Sequence, residues 1–460
     1  MRPPSVDLTA WRKIAYAAPQ LSVAMMFNPI YVIQGVYVKH YGFSMASMAA
    51  ILLASRIFDA VTDPAAGALS DWWKARTGGR KSFVAIGVLI FLVAGFFIYI
   101  PPVRPGVAYF TFWLFAFYLG FTIYSVPHLI WGGEIAPESD QKKRVFAFHT
   151  AAGYTGLVLF YALPLLPIFE TSEITPDTMR LSMIVGAVFM VPALLACLRL
   201  VPEGPRLVHQ APGEKAQPKV LSFESLKILA GNRMFVMFIA ASCVADLGLL
   251  VWYGMIFIYT DIYLGVGELF SPLYLLSFGI GIAVAFGCAH LARWIGAKRT
   301  WLTAMACSLA AVLGTSLLSP DNARAAAIFP TFLGTTIGFV CTWTVGRAIL
   351  AEIVDYSILK DRINLGASYF AIWVFLEKIM IAIGGALGLG LAAYLGFDPE
   401  AATQTAAGVF ALDVVMSWLP AAILVVSLIL IQLIPMNERR HAIVRKRLDQ
   451  RLARAEKGVA

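Results

Sequence analysis

Arg56, Asp59 and Asp63 lie in the segment ASRIFDAVTDPAAGALSD, from Ala54 to Asp71, inside an otherwise apolar run. On a helix turning about 100° per residue, Arg56, Asp59, Asp63 and Gly67 share one face within roughly 80°. A bare charge at mid-bilayer costs about 2.5–3.5 kcal/mol even on insertion scales, so such a face must look into protein and away from lipid. Pro64 has no N–H, which leaves the carbonyl of Ala60 without its usual helical partner. Two carboxylates, the Thr62 hydroxyl and a freed carbonyl are hard-oxygen ligands suited to a small cation such as Na+. Two neighbouring acids can equally share a proton. A structural ion-pair network anchoring the helix is the competing reading, but one arginine does not neutralise two acids.

Other ionisable and aromatic residues in apolar surroundings are Lys378, Asp246, Arg347, Asp413, His128, His149, Trp343 and Tyr253. Lys378 has Glu377 beside it, but adjacent helical residues point about 100° apart and need not pair. A cation at Lys378 would neutralise Asp59 and Asp63 when no ion is bound, or hold an anionic group of a solute. His128 and His149 are read as cavity-lining or relay residues, against the alternative of hydrogen-bonded packing. Trp131, Trp252 and Trp373 fit interface belts as well as sugar-stacking platforms. Trp343 stands apart because Thr342 and Thr344 flank it. Arg56, Asp246, Tyr253, His128, His149 and Trp343 form the expected substrate-binding set.

The chain that must position these groups has 460 residues, 59% hydrophobic and only 14% charged. A soluble chain would carry about 25% charged residues. Apolar runs of about 20 residues recur between Gly, Pro and charged clusters, as membrane-spanning helices require. About twelve spans are expected: 14–38, 44–69, 82–102, 107–133, 145–169, 180–201, 234–260, 270–291, 300–319, 325–350, 367–396 and 409–434. With the N-terminus inside, cytoplasmic segments hold about 29 Lys and Arg and the opposite side about four (Lys39, Arg104, Arg180, Arg324). The basic charge is thus a topology signal that places both termini in the cytoplasm, and nucleic acid drops out as a partner.

The stretch PEGPRLVHQAPGEKAQPKVLSFESLK (202–227) is the longest polar interruption, with roughly six spans on either side. The expected fold is an all-α polytopic membrane protein of the major facilitator type. It comprises an N-terminal bundle over 1–201, a linker over 202–232, a C-terminal bundle over 233–435 and a basic tail over 436–460. GALSDWWKARTGGRKS after the second span and HLARWIGAKRTW after the eighth form a weak internal repeat, each placing Gly and paired basic residues before the next helix. Pro19, Pro29, Pro164, Gly384 and Gly385 are expected to interrupt helices one, five and eleven. The five cysteines are scattered without CxxC spacing and read as buried small hydrophobes. The first apolar segment is too long for a cleaved signal and is kept as a helix.

Four stretches together resemble the glycoside–pentoside–hexuronide symporters, the melibiose-permease branch of the major facilitator superfamily, along nearly the whole chain. RIFDAVTDPAAGALSD is similar to the family's helix-two signature R-x-x-D-A-x-x-D-P-x-x-G, and GGRKS to its basic loop. VPHLIWGGEIAPESDQKKRVFAF resembles the helix-four and loop segment. AEIVDYSILKDRINLGASYFAIWVFLEKI is similar to the A-D-x-V-D-Y loop followed by helix eleven. The resemblance implies that Asp59 and Asp63 hold the coupling cation with Thr62 and Thr122 beside them. It also implies that Lys378 is the helix-eleven lysine near that site, that Arg56 is the helix-two arginine and that Trp343 is a sugar-site tryptophan. Ser125 stands where melibiose permeases carry a helix-four aspartate, and Ala24 and Val23 replace their helix-one aspartate and lysine. Melibiose-like substrates are therefore not expected, and proton coupling stands level with Na+ coupling.

The function expected is cation-coupled symport, by Na+ or H+, of a glycoside or related carbohydrate across the cytoplasmic (inner) membrane. No cofactor is expected beyond the coupling ion, and no partner beyond the small-molecule solute and membrane lipids; the protein is read as a monomer. A lysophospholipid carrier of the same fold and an H+-driven exporter are the alternatives. A multispan lipid-transferring enzyme is not expected, because the charged pairs are mid-span and the loops lack an HxxxD or metal-ligand pattern.

Overall fold

The computed structural model describes residues 9–136, 139–203, 223–361, 365–401 and 403–435. Most of the linker expected over 202–232 and all of the tail from 436 lie outside the described residues, which are helical with no strand. The chain divides into two compact units, Met1–Pro212 with Gly267–Leu275 and Gly213–Val266 with Leu276–Ala460.

The first unit begins with α1 (Ala10–Phe27), a 3-10 turn over Asn28–Tyr31 and α2 (Ile33–Tyr41), bent by 55°. Pro29 is the cause: without an N–H it cannot serve the carbonyl of Met25. The Ser182 hydroxyl fills that gap at 2.8 Å, and the Tyr99 hydroxyl donates to the next carbonyl, Met26, at 2.9 Å. Then come α3 (Met45–Thr77), α4 (Lys81–Tyr99), α5 (Val107–Ile135), α6 (Ser139–Ala162) and α7 (Pro176–Leu200). Gly78 ends α3 in the left-handed conformation, φ 85°, which glycine adopts at no steric cost. Gly87 and Gly120 bring α4 and α5 into backbone contact, since a Cβ on either would collide with the opposite chain.

The second unit contains α8 (Phe223–Ala230), α9 (Arg233–Ile258), most of α10 (Phe270–Ile295), α11 (Ala297–Thr315), α12 (Ala325–Asp361) and α13 (Gly366–Tyr394). It closes with α14 (Ala406–Asp413) and α15 (Leu419–Leu433). Gly384 and Gly385 do not interrupt α13. They let α9 approach it: a Cβ on Gly384 would collide with Leu250, and one on Gly254 would lie 2.7 Å from the Cα of Gly385. The irregular turns sit elsewhere, as π turns at Tyr259–Tyr263 and Val414–Trp418 that the sequence did not announce.

Among the described residues, ten helices are long and apolar enough to cross a membrane, or up to 11 counting the bent α1–α2 pair. The expectation of twelve is not reached on this measure, because α11, which opens on Lys298 and Arg299, is not among them. Two helices overrun their expected ends. The span expected to stop at 69 continues to Thr77, and the one expected to stop at 350 runs to Asp361. The latter absorbs AEIVDY (351–356), which is helical here and not a loop. The protein is a multi-pass membrane protein.

Candidate functional site

Asp59 and Asp63 meet on one hydroxyl. Thr122 of α5 donates to Asp59 Oδ1 at 3.0 Å and to Asp63 Oδ1 at 3.2 Å. Thr122 is fully buried, Asp59 is 3% exposed and Asp63 is half-buried. The register explains the meeting. One turn on, a Cβ built on Gly67 of α3 would lie 3.8 Å from Val126 Cγ1 of α5, so two ridges with four-residue spacing run side by side. Tyr118, one turn before Thr122, takes the Arg56 guanidinium over its ring at 4.9 Å, and Tyr31 flanks it at 5.9 Å. Arg56 is close enough to Asp59 to interact electrostatically. A hydroxyl carries one proton, so Thr122 satisfies the two acids only by sharing it. The shared hydroxyl brings the two carboxylates together, a pairing whose oxygens can ligate a small cation or take up a proton.

Thr62 and Ser125 are placed differently. The Thr62 hydroxyl donates back to Phe58 O (3.0 Å) and Asp59 O (3.2 Å) of its own helix. Ser125 makes no hydrogen bond to either carboxylate among the described residues, although it lies one turn from Thr122.

In the second unit, Trp343 anchors an aromatic and cationic line. Tyr253 and Phe339 rings are 5.6 Å apart, Phe339 and Trp343 5.3 Å, and Arg347 lies over Trp343 at 5.4 Å and over Trp373 at 6.0 Å. The Tyr253 hydroxyl is 3.4 Å from Thr336 Oγ1. Trp343 Nε1 has no hydrogen-bond partner among the described residues. The flanking threonines are not part of this surface. Thr342 accepts from Trp301 Nε1 at 3.0 Å and Thr344 donates to Val340 O at 2.7 Å, so both are committed to packing. Lys378 is half-buried on α13, and Asp246 is buried on α9.

His128 is a packing residue. Its ring stacks on Tyr16 at 4.3 Å, and its Nε2 lies 3.1 Å from Tyr16 O, a carbonyl that can only accept. The Tyr16 hydroxyl donates in return to His128 O at 2.8 Å. Half-buried His149 stands 5.6 Å from His128, ring to ring.

The GGRKS loop closes one end of this unit. Arg80, 2% exposed at its side chain, donates to Ser70 Oγ and Asp71 Oδ1 at 2.5 Å each and to Glu134 Oε1 at 3.1 Å. Lys74 Nζ pairs with Glu134 Oε2 at 2.8 Å, and the Arg80 N–H reaches Glu203 at 3.2 Å. Burial opposes the Arg80 charge, but the hydrogen bonds to Glu134 and Asp71 outweigh it and raise its pKa above the ordinary arginine value.

Arg347, singled out in the sequence for its charge alone, stands four residues after Trp343, a spacing that puts both on one helix face. Two contributors escaped the sequence reading. Tyr118 under Arg56 and Glu134 between Lys74 and Arg80 left no local signal, because each belongs to a different helix from the cation it holds.

Comparison with known proteins places the chain in a family. A family model described as MFS/sugar transport protein matches residues 14–438. An uncharacterized symporter of Bacillus subtilis, YjmB, is 22% identical, aligned over 96% of this chain and 96% of its own. The lactose permease of Lactobacillus helveticus is 21% identical over 88% of this chain and 65% of its own. The crystal structure of the nucleoside transporter NupG superposes with a TM-score of 0.68 at 12% identity, over 94% of this chain and 100% of its own. By family model, fold and helix-two signature together, the chain belongs to the sugar-transport branch of the major facilitator superfamily, among the glycoside–pentoside–hexuronide symporters, and is a transporter, not an enzyme.

Proposed function

We propose that this protein couples the inward movement of Na+ or H+ to the uptake of a glycoside or related carbohydrate. The observation that carries the reading is the shared Thr122 hydroxyl between Asp59 and Asp63. It brings one buried and one half-buried acid together at one hydroxyl, an arrangement whose oxygens suit a small cation or a proton. A carrier with an uncompensated charge in its interior changes conformation less readily than an occupied or neutral one, which enforces coupling. The membrane potential adds about 2.3 kcal/mol per elementary charge per 100 mV to inward cation movement. Trp343, with its unpartnered Nε1–H, and Arg347 offer the solute a stacking face and hydrogen-bond donors.

The test begins with a thermal-shift screen of neutral and acidic glycosides, lactose among them, with and without Na+ and across pH. The responding solute is then followed into vesicles carrying wild type, Asp59→Asn or Asp63→Asn. Gradient-driven accumulation should vanish in both variants while each remains folded in the membrane. Full accumulation in both refutes the ion assignment, and a screen in which no glycoside responds refutes the carbohydrate one.

A further inference from the structure

A second pair of acids lies in the second unit, where α9 packs on α13. Phe238 meets Trp373 at 6.2 Å ring to ring, Leu250 faces Gly384 and Gly254 faces Gly385. Residues 238, 242, 246, 250 and 254 recur every fourth position and form one ridge of α9. Ser242 and Asp246 therefore face α13 between those contacts. Glu377, one turn beyond Trp373, faces α9 from the same seam. The two carboxyls are close enough to interact electrostatically.

Several polar atoms of this seam are buried without a partner. Asp246 is 2% exposed, Ser242 1% and Glu377 8%. Among the described residues, Asp246 Oδ1, Glu377 Oε1, Ser242 Oγ and Trp373 Nε1 have no hydrogen-bond partner. Buried polar atoms are seldom left so, and several together in one seam mark a missing participant.

We propose that Asp246 and Glu377 form a second ion site, in which the two carboxyls share a proton within the α9–α13 seam. The inference rests on the cation-coupled reading and extends it to the second unit. A single proton bound to one carboxyl turns it into a donor to the other and satisfies both orphaned oxygens. Two ionised carboxylates in such a seam would repel each other without water to screen them. A metal cation is disfavoured, because Trp373 Nε1–H and the nearby Arg347 guanidinium present positive ends to the same space. The charged and titratable neighbours are few. Cys243 lies on α9 itself and senses both acids, Arg347 reaches Glu377 from α12, and Lys378 follows Glu377 on α13. The α15 face has no ionisable residue between Leu419 and Leu433, and α11 meets α9 through Trp301 and Thr315.

Infrared difference titration of the purified full-length protein reads the proton directly, through the carbonyl stretch of a protonated carboxyl. Wild type should show a protonated-carboxyl band that persists at neutral pH, where exposed acids are ionised. The Asp246→Asn/Glu377→Gln double variant should lose a component of the band that Asp59→Asn/Asp63→Asn keeps. If the double variant does not fold, Glu377→Gln alone, which preserves shape, should abolish or shift it. A band unchanged by substitutions at 246 and 377, or absent from wild type, overturns the proposal. Accumulation that survives Asp59→Asn and Asp63→Asn would refute the ion assignment at the first site and leave this readout untouched.

Discussion

Glu134→Gln tests the ion-pair cluster at the GGRKS loop. Lys74 and Arg80 are each 2% exposed at the side chain, and Glu134 between them is 18% exposed. Arg80 keeps Asp71 and Ser70 when Glu134 becomes neutral, but Lys74 loses its ion-pair partner. Removing one partner of a buried pair costs about 3–5 kcal/mol. The Gln carbonyl can still accept from Lys74, which returns about 1 kcal/mol. The expected loss is therefore roughly 2–4 kcal/mol, measured by denaturant titration of the purified protein. Lys74→Met removes the stranded charge, so the double variant should be less destabilised than the sum of the singles, with a coupling of about 2 kcal/mol. Because the pair is buried, the cost should hardly change between low and high salt. A Glu134→Gln loss under about 0.5 kcal/mol with additive singles is the signature of a solvated surface pair, and would refute this account of the loop.

Other substitutions probe the remaining elements. Thr122→Val removes a donor shared by Asp59 and Asp63; a hydrogen bond to a charged group is worth about 1.5–3 kcal/mol, so the Na+ response of the thermal midpoint should weaken roughly tenfold or more in concentration if Na+ is the coupling ion. An unchanged ion response would detach Thr122 from the site. Ser182→Ala strands the Met25 carbonyl that Pro29 leaves open, and should cost about 1–3 kcal/mol; an unmoved unfolding midpoint would mean the α1–α2 bend needs no such donor. Trp343→Phe keeps an aromatic face but deletes an N–H that bonds nothing in the protein. Stability should stay within about 0.5 kcal/mol while affinity for the responding glycoside falls by roughly 2- to 10-fold, and equal binding would remove Trp343 Nε1 from the solute site.

Much of the site was legible because its signals are local. Arg56, Asp59 and Asp63 share a face by helical arithmetic, and so do Trp343 and Arg347. The sequence did not show that the Thr62 hydroxyl turns its proton back onto the backbone of α3, as Thr residues in helices commonly do. It also read Gly384 and Gly385 as a break, where they are a contact surface. A glycine permits either, and only the presence of Leu250 and Gly254 across the seam decides between them.

Hydropathy and the price of burying charge are properties of the chain itself, so the sequence alone determined a helical membrane protein with an inward-facing acidic pair. Partnership is a property of two helices at once. Thr122 is 59 residues from Asp63, Glu134 is 54 from Arg80, and Asp246 and Glu377 stand on different helices. Which donor reaches which acid depends on the register of one ridge against another, set by Gly67 on Val126 and by Gly254 on Gly385. Tertiary packing therefore decided that the first pair has a hydroxyl to share, while among the described residues Asp246 Oδ1 and Glu377 Oε1 have no donor.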